Sequence, residues 1–220
     1  NGAEPISWDL CEEFLAALEP HGLKRNTMLP VYGLAEATVG VSFSPLGPEY
    51  ERVVMDRHSL QIGAPYEAVD PDDPDAVSFV KVGKAIRDVT IRIADDGDRV
   101  LEDGHIGNIQ LLGASMTERI YGDEEATAQT ISSDDVLYTG DMGFVDERGL
   151  HFAGRAKLVI KPKGYQVFPA QVEEHFHELD AVASFAVVGC EHEVWNSIDC
   201  SSVCMAASNT WTCVAEASFV

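Results

Sequence analysis

The chain has 220 residues, 45% hydrophobic and 24% charged, the balance of a globular protein of one or two domains with length enough to bury a core. Its formal charge of -22, from 37 acidic and 15 basic residues, disfavours nucleic acid and anionic membrane surfaces as partners. No apolar run reaches the roughly 18 residues of a membrane span, and the opening Asn1-Gly2-Ala3-Glu4-Pro5 lacks the basic start and apolar stretch of a signal peptide, so the cytoplasm is the expected compartment.

In chain order, residues 6–18 read as an amphipathic helix. Ser7 and Asp9 offer caps, Leu10, Phe14, Leu15 and Leu18 recur at helical spacing, and Pro20 and Gly22 end it. A strand at 26–31 leads into the loop Tyr32-Gly33-Leu34, and a second strand follows at 38–43. The stretch 50–78 is long, acidic and proline-bearing, and reads as an irregular excursion between structured regions. Its densest part, Asp70-Pro71-Asp72-Asp73-Pro74-Asp75, lacks the glycine and closing glutamate of a calcium loop and reads as solvated acid.

Val89, Ile91 and Ile93 alternate onto one face and predict a strand, Asp95-Asp96-Gly97-Asp98 a turn, and 106–112 a strand closed by Gly113. Asp123-Glu124-Glu125 favours a helix start. Short strands at 136–138 and 143–145 flank Thr139-Gly140-Asp141, and Asp146-Glu147-Arg148-Gly149 turns the chain into a returning strand at 150–152. After Gly154 a strand at 158–160, a helix opened by Pro169 and running to about 179, and a strand-like run at 181–188 begin a small α+β domain. From 196 onward the chain is rich in Ser, Cys, Ala and Thr and shows no clear period; it is expected not to be the natural continuation of that domain. The cysteines Cys11, Cys190, Cys200, Cys204 and Cys213 form no C-x-x-C pair and read as reduced structural thiols, and the histidines make no metal-site pattern.

Three segments carry candidate chemistry. Val31-Tyr32-Gly33-Leu34-Ala35-Glu36-Ala37-Thr38 joins an aromatic able to stack on a base, a glycine that admits close backbone approach and a carboxylate able to hold Mg²⁺ beside phosphates; alone it is equally an ordinary turn. Leu137-Tyr138-Thr139-Gly140-Asp141 is a second loop, whose carboxylate has two oxygens for the two hydroxyls of a ribose. Gly154-Arg155 through Gln166 gathers Arg155, Lys157, Lys161 and Lys163 in an acidic chain, which suits a polyphosphate or an adenylate, or simply balances the acidic field.

Order and spacing of these segments resemble the core motifs of the adenylate-forming superfamily: acyl-CoA synthetases, fatty acyl-AMP ligases, luciferases and peptide-synthetase adenylation domains. Asn1-Gly2-Ala3-Glu4-Pro5 is similar to the strand end that walls the adenine and acyl pocket, Tyr32-Gly33-Leu34-Ala35-Glu36 to Y-G-x-T-E, Tyr138-Thr139-Gly140-Asp141 to Y-x-T-G-D, and Gly154-Arg155 through Gln166 to the hinge motif. Gly107-Asn108-Ile109-Gln110 through Ile120-Tyr121 resembles the stretch between them, and the likeness covers 1 to about 195.

The resemblance implies an α/β and α+β fold. Residues 1–153 would be the C-terminal part of the large AMP-binding domain with its β-rich subdomain, 46–82 an insertion or loop, 154–163 the hinge, and 164–220 an incomplete small C-terminal domain with 196–220 as an atypical tail. It further implies that Gly2, Ala3, Tyr32 and Gly33 wall the nucleotide, that Tyr32 stacks on adenine, that Glu36 holds Mg²⁺, and that Asp141 binds ribose with Arg155 assisting. Lys157 would sit at the hinge, and Lys161 and Gln166 would line the active site in one orientation of the small domain. The implied reaction uses ATP and a fatty or other carboxylic acid to make an acyl adenylate, then passes the acyl group to a thiol.

Neither the Ser/Thr/Gly-rich phosphate loop nor the late catalytic lysine of that family is found here, so this chain alone is expected not to adenylate efficiently. Ala35 stands where the wider family has threonine. That version, the opening Asn1-Gly2-Ala3-Glu4-Pro5-Ile6 and the extra length at 49–82 resemble fatty acyl-AMP ligases, which deliver to the phosphopantetheine of an acyl carrier protein. The run 160–173 resembles CoA ligases, making CoA the alternative acceptor. A non-catalytic adenylate-binding or interaction module is a reading from another class.

Overall fold

The computed structural model describes residues 1–2, 5–159, 169, 187–191, 201–207 and 210–214. They divide between two compact units, Asn1–Ala153 and Gly154–Val220. In the first, α1 (Trp8–Leu18) is capped by the Ser7 hydroxyl, which accepts from the Leu10 N–H at 3.2 Å. Three two-residue strands, β1 (Val31–Tyr32), β2 (Ser42–Phe43) and β5 (Lys84–Ala85), form a small antiparallel sheet in the order β1-β2-β5.

Between them in sequence, β3 (Arg52–Asp56) and β4 (Ala76–Val80) pair antiparallel along their whole length. Then β6 (Val89–Ala94), β7 (Gly107–Gly113), β8 (Leu137–Asp146) and β9 (Gly149–Arg155) make a four-stranded meander in chain order. The helix α2 (Glu124–Thr130) stands between β7 and β8, its N-terminus capped by Asp123 accepting from Ala126 N–H at 2.8 Å. The core joins Tyr32, Val41 and Val82 to Ile109, Leu111 and Leu137 of the meander, so the small sheet and the large one share one interior.

Several sequence expectations are corrected. The helix α1 buries Cys11 and Leu15, one turn apart, against Tyr50 and Val80, and leaves Leu10 66% and Phe14 51% exposed. Helical spacing identified an apolar stripe but not which neighbouring stripe faces inward. The strand expected at 26–31 is a 3-10 turn (Arg25–Thr27) followed by the short β1. The one expected at 38–43 starts instead with left-handed Thr38 and Val39 (φ 54° and 74°) and is regular only in β2. The excursion 50–78, and with it the loop reading of 46–82, is corrected by β3 and β4: Val53 and Met55 of β3 are buried, the period-2 signature of a half-buried strand. The strands expected on either side of Thr139-Gly140-Asp141 are one strand, β8.

In the second unit, the strand expected at 158–160 is a 3-10 turn, Ala156–Leu158, with Ile160 outside the described residues. Residue 169 is helical, but the rest of the helix expected to 179 lies outside the described residues. The segment without readable period carries β11 (Ser201–Ala207) and β12 (Thr210–Val214), which pair antiparallel with β10 (Val187–Glu191) in the order β10-β11-β12.

The meander also buries a histidine. His151 of β9 is 1% exposed, lies flat on Phe144 with ring centres 4.5 Å apart, and places Nε2 3.2 Å from Asp146 Oδ1. Burial pushes its imidazole below the ordinary value, against the opposing pull of Asp146. A histidine with a depressed folded pKa binds fewer protons folded than unfolded. Its contribution is therefore complete above about pH 6.5 and is lost as pH falls from there toward the folded pKa. Wild type is expected to lose melting temperature more steeply than His151→Phe between pH 7 and pH 5; parallel profiles would show that the imidazole keeps its charge state on folding.

Candidate functional site

The site is built on a register fault. Asn108 pairs with Met142 and Gln110 with Tyr138, so Ile109 of β7 faces three residues of β8: Thr139, Gly140 and Asp141. The bulge leaves the Ile109 carbonyl without its ladder partner, and the Thr139 hydroxyl donates to it at 2.8 Å. The same hydroxyl accepts from the Asp141 N–H at 3.0 Å. Gly140 sits at φ 72°, and a Cβ there would meet nothing within 4 Å, so glycine is needed for its backbone angle rather than for space. The bulge turns Asp141 inward, where it is 3% exposed. Tyr138 points elsewhere, its hydroxyl 3.1 Å from Asp98 Oδ2.

Tyr32, 109 positions earlier, donates its hydroxyl to Asp141 Oδ2 at 2.6 Å. That length is typical of a charge-assisted O–H···O⁻ bond. The Tyr32 ring, 8% exposed, stacks on Phe152 of β9 with centres 5.7 Å apart. Gly33 follows because the chain doubles back: Val41 N–H donates to Tyr32 O at 3.0 Å, and a Cβ on Gly33 would lie 1.5 Å from the Val39 carbonyl oxygen.

Glu36 occupies the 3-10 turn Ala35–Ala37 and is half-buried. Its carbonyl accepts from Thr117 N–H at 2.7 Å, while Thr38 Oγ1 donates to Ser115 O at 2.8 Å, so the turn is clamped to the loop after β7. No hydrogen bond or ion pair engages the Glu36 carboxylate among the described residues. Mg²⁺ is held by one or two carboxylates plus phosphates and water, and a lone carboxylate on a clamped turn fits that donor set. No group of three or more His, Cys, Asp or Glu among the described residues could hold a metal by itself.

The structure therefore brings Tyr32, Gly33 and Asp141 together. Gly2 lies against β1, where a Cβ would meet Val31 Cγ2 at 2.7 Å. Ala3, Lys161 and Gln166 lie outside the described residues. Arg155 ends β9 and Lys157 lies in the 3-10 turn that follows, both exposed, in the second unit. Sequence reading missed the part played by Thr139, which bridges the bulge, and by Phe152, which backs the Tyr32 ring. The hydroxyl inside Thr-Gly-Asp was the available signal for the first; nothing local marks the second.

No protein-family model matches the chain. It is 34% identical over 191 residues to the long-chain-fatty-acid–AMP ligase FadD32 of Mycobacterium marinum, and 29% identical over 182 residues to the medium-chain-fatty-acid–[acyl-carrier-protein] ligase JamA of Moorena producens. These matches cover 79% of this chain in both cases, and 30% and 31% of the relatives. Among solved structures, the adenylation domain of a keto acid-selecting peptide-synthetase module bound to keto acyl adenylate superposes with TM-score 0.70 at 30% identity, covering 87% of this chain and 35% of that one. A structure from work on fatty acyl-adenylate ligases of E. coli and L. pneumophila shares the fold with TM-score 0.82 at 23% identity, over 99% of this chain and 37% of that one. The chain belongs to the adenylate-forming superfamily, and its architecture is that of the C-terminal part of an adenylation domain. It spans about a third of the length of the curated relatives it matches.

Proposed function

We propose that this chain is part of a ligase that activates a fatty or other carboxylic acid with ATP to an acyl adenylate and transfers the acyl group to the phosphopantetheine thiol of a carrier protein. The observation that carries the reading is the 2.6 Å contact of Tyr32 with Asp141, which joins two motif segments far apart in sequence into one buried site. In this reading the Tyr32 ring stacks on adenine, the Asp141 carboxylate accepts the ribose hydroxyls, and Gly2, Ala3 and Gly33 belong to the segments that wall the nucleotide. Both side chains are buried, so nucleotide entry is coupled to a local opening of the packing over them. Glu36 would hold Mg²⁺, which when bound would supply charge neutralisation beside the phosphates.

The substrate carboxylate attacks the α-phosphorus, a C–O–P bond forms, and pyrophosphate leaves with the broken P–O–P bond. A thiolate then attacks the acyl carbon and AMP leaves. Arg155 assists at the ribose, Lys157 serves as hinge, and Lys161 and Gln166 meet the adenylate in one orientation of the small domain. The cytoplasm is the setting. CoA as acceptor is the second reading, favoured by the likeness of 160–173 to CoA ligases and by 29% identity over 176 residues to a putative acyl-CoA synthetase of Caulobacter vibrioides.

The test is binding of a non-hydrolysable acyl-AMP analogue to the 220-residue chain. Saturable binding competed by AMP is the expected result, and none at millimolar analogue would sink the reading. Thioester assays on the enzyme containing this chain, offered CoA or holo carrier protein, decide the acceptor.

A further inference from the structure

We infer that Tyr32 does two separable things in this site: its ring serves the base, while its hydroxyl fixes the plane of the Asp141 carboxylate and so sets selectivity for ribose. The inference rests on the proposed role of Asp141 toward the ribose diol. An aspartate carboxylate turns broadly about its last torsion, which has no sharp staggered wells. Recognition of a vicinal diol by both oxygens requires that plane to be held. In this structure the Asp141 backbone is held by the bulge and by Thr139, and the carboxylate itself takes the Tyr32 hydroxyl on Oδ2 at 2.6 Å.

The donor is a fixed point rather than a mobile one. Its ring is 8% exposed and packed on Phe152, and its backbone carbonyl is tied to Val41 N–H at 3.0 Å across the tight turn at Gly33. A carboxylate has room for about four donors, so accepting the phenol is compatible with binding ribose hydroxyls. Phenylalanine at this position would offer the same face to a base and nothing to the carboxylate. Tyr32 is thus a positioning residue for the sugar as well as a contact for the base.

The experiment measures binding of AMP, 2′,3′-dideoxy-AMP and GMP to the 220-residue chain, as wild type, Tyr32→Phe, Asp141→Ala and the double variant. The expected result is that Tyr32→Phe lowers the preference for AMP over dideoxy-AMP by about tenfold, the worth of one hydrogen bond to a charged group. The preference for AMP over GMP should stay within about twofold, and Tyr32→Phe should do nothing further to sugar selectivity in the Asp141→Ala background, where the hydroxyl has no carboxylate left to orient. Should Tyr32→Phe fold poorly by circular dichroism, Tyr32→Trp keeps an aromatic face while moving the donor and gives the same readout. Unchanged sugar selectivity in a folded variant overturns the inference and leaves the role of Asp141 intact. A wild-type chain that does not distinguish AMP from dideoxy-AMP overturns both.

Discussion

Gly33→Ala is expected to lower the melting temperature by about 6–12 °C, the largest stability effect of any single methyl added to this site. The added Cβ would fall 1.5 Å from the Val39 carbonyl oxygen and 2.7 Å from its carbon. Those are backbone atoms and cannot rotate away. The loop they belong to has no slack: Val39 N–H donates to Leu34 O at 3.0 Å, Thr38 N–H to Ala35 O at 3.1 Å, and Thr38 and Val39 already hold left-handed angles that β-branched residues avoid. Such angles cost about 1–3 kcal/mol each and persist only where the surroundings over-determine them. Overpacking costs about 1–3 kcal/mol where side chains can give; here the backbone must move, so about 3 kcal/mol is the expected loss, at 2–4 °C per kcal/mol for a chain of roughly this size. Gly140→Ala is the control. It meets no atoms within 4 Å and should cost only its φ penalty, about 1 kcal/mol. Equal melting temperatures for the two variants would mean that the Tyr32–Val41 turn is not closed as described.

Asp141→Ala is expected to weaken binding of an acyl-AMP analogue at least about 100-fold. Two hydrogen bonds from the ribose to a carboxylate are removed, each worth about 1.5–3 kcal/mol. Part of the loss would come through the fold, since the Tyr32 hydroxyl is left buried without its acceptor. Asp141→Asn separates the two effects: the amide oxygen still accepts from Tyr32, while the charge that strengthens the ribose contacts is gone. Asparagine should therefore recover most of the melting temperature and little of the affinity. An alanine variant that binds the analogue as wild type does would remove Asp141 from the nucleotide site.

The parts of this fold that the sequence announces are those set by neighbours in the chain. The strands β6 and β7, the capped start of α2 and the turn at Asp146–Gly149 were all legible because alternation, an N-cap aspartate and turn residues act over a few positions. What was not legible depends on distant partners. The strands β3 and β4 pair Arg52 with Val80 and Asp56 with Ala76 across a loop whose acids and prolines dominate its composition. The helix α1 has two adjacent apolar stripes, and only the position of Tyr50 and Val80 decides that Cys11 and Leu15 go inside. Thr139-Gly140-Asp141 reads as a loop for a sound reason, since glycine and aspartate favour left-handed and turn conformations, but the same preference serves a bulge within a strand. The candidate site divides the same way: the residue types were visible in the motifs, whereas the Tyr32–Asp141 contact and the support from Phe152 required the fold.

The bulge in β8 also constrains how this segment can change length. Tyr138 and Met142 pair with Gln110 and Asn108, so the surplus in β8 over a regular ladder is two residues, an even number. An even surplus keeps inward and outward positions in step on both sides of the fault. Deleting or inserting one residue between Leu137 and Met142 would put the two halves of the strand out of phase and exchange buried for exposed faces along one of them. A change of two would preserve that alternation while altering the loop that aims the carboxylate. Over evolutionary time, then, this stretch should accept substitutions one at a time but insertions and deletions only in pairs.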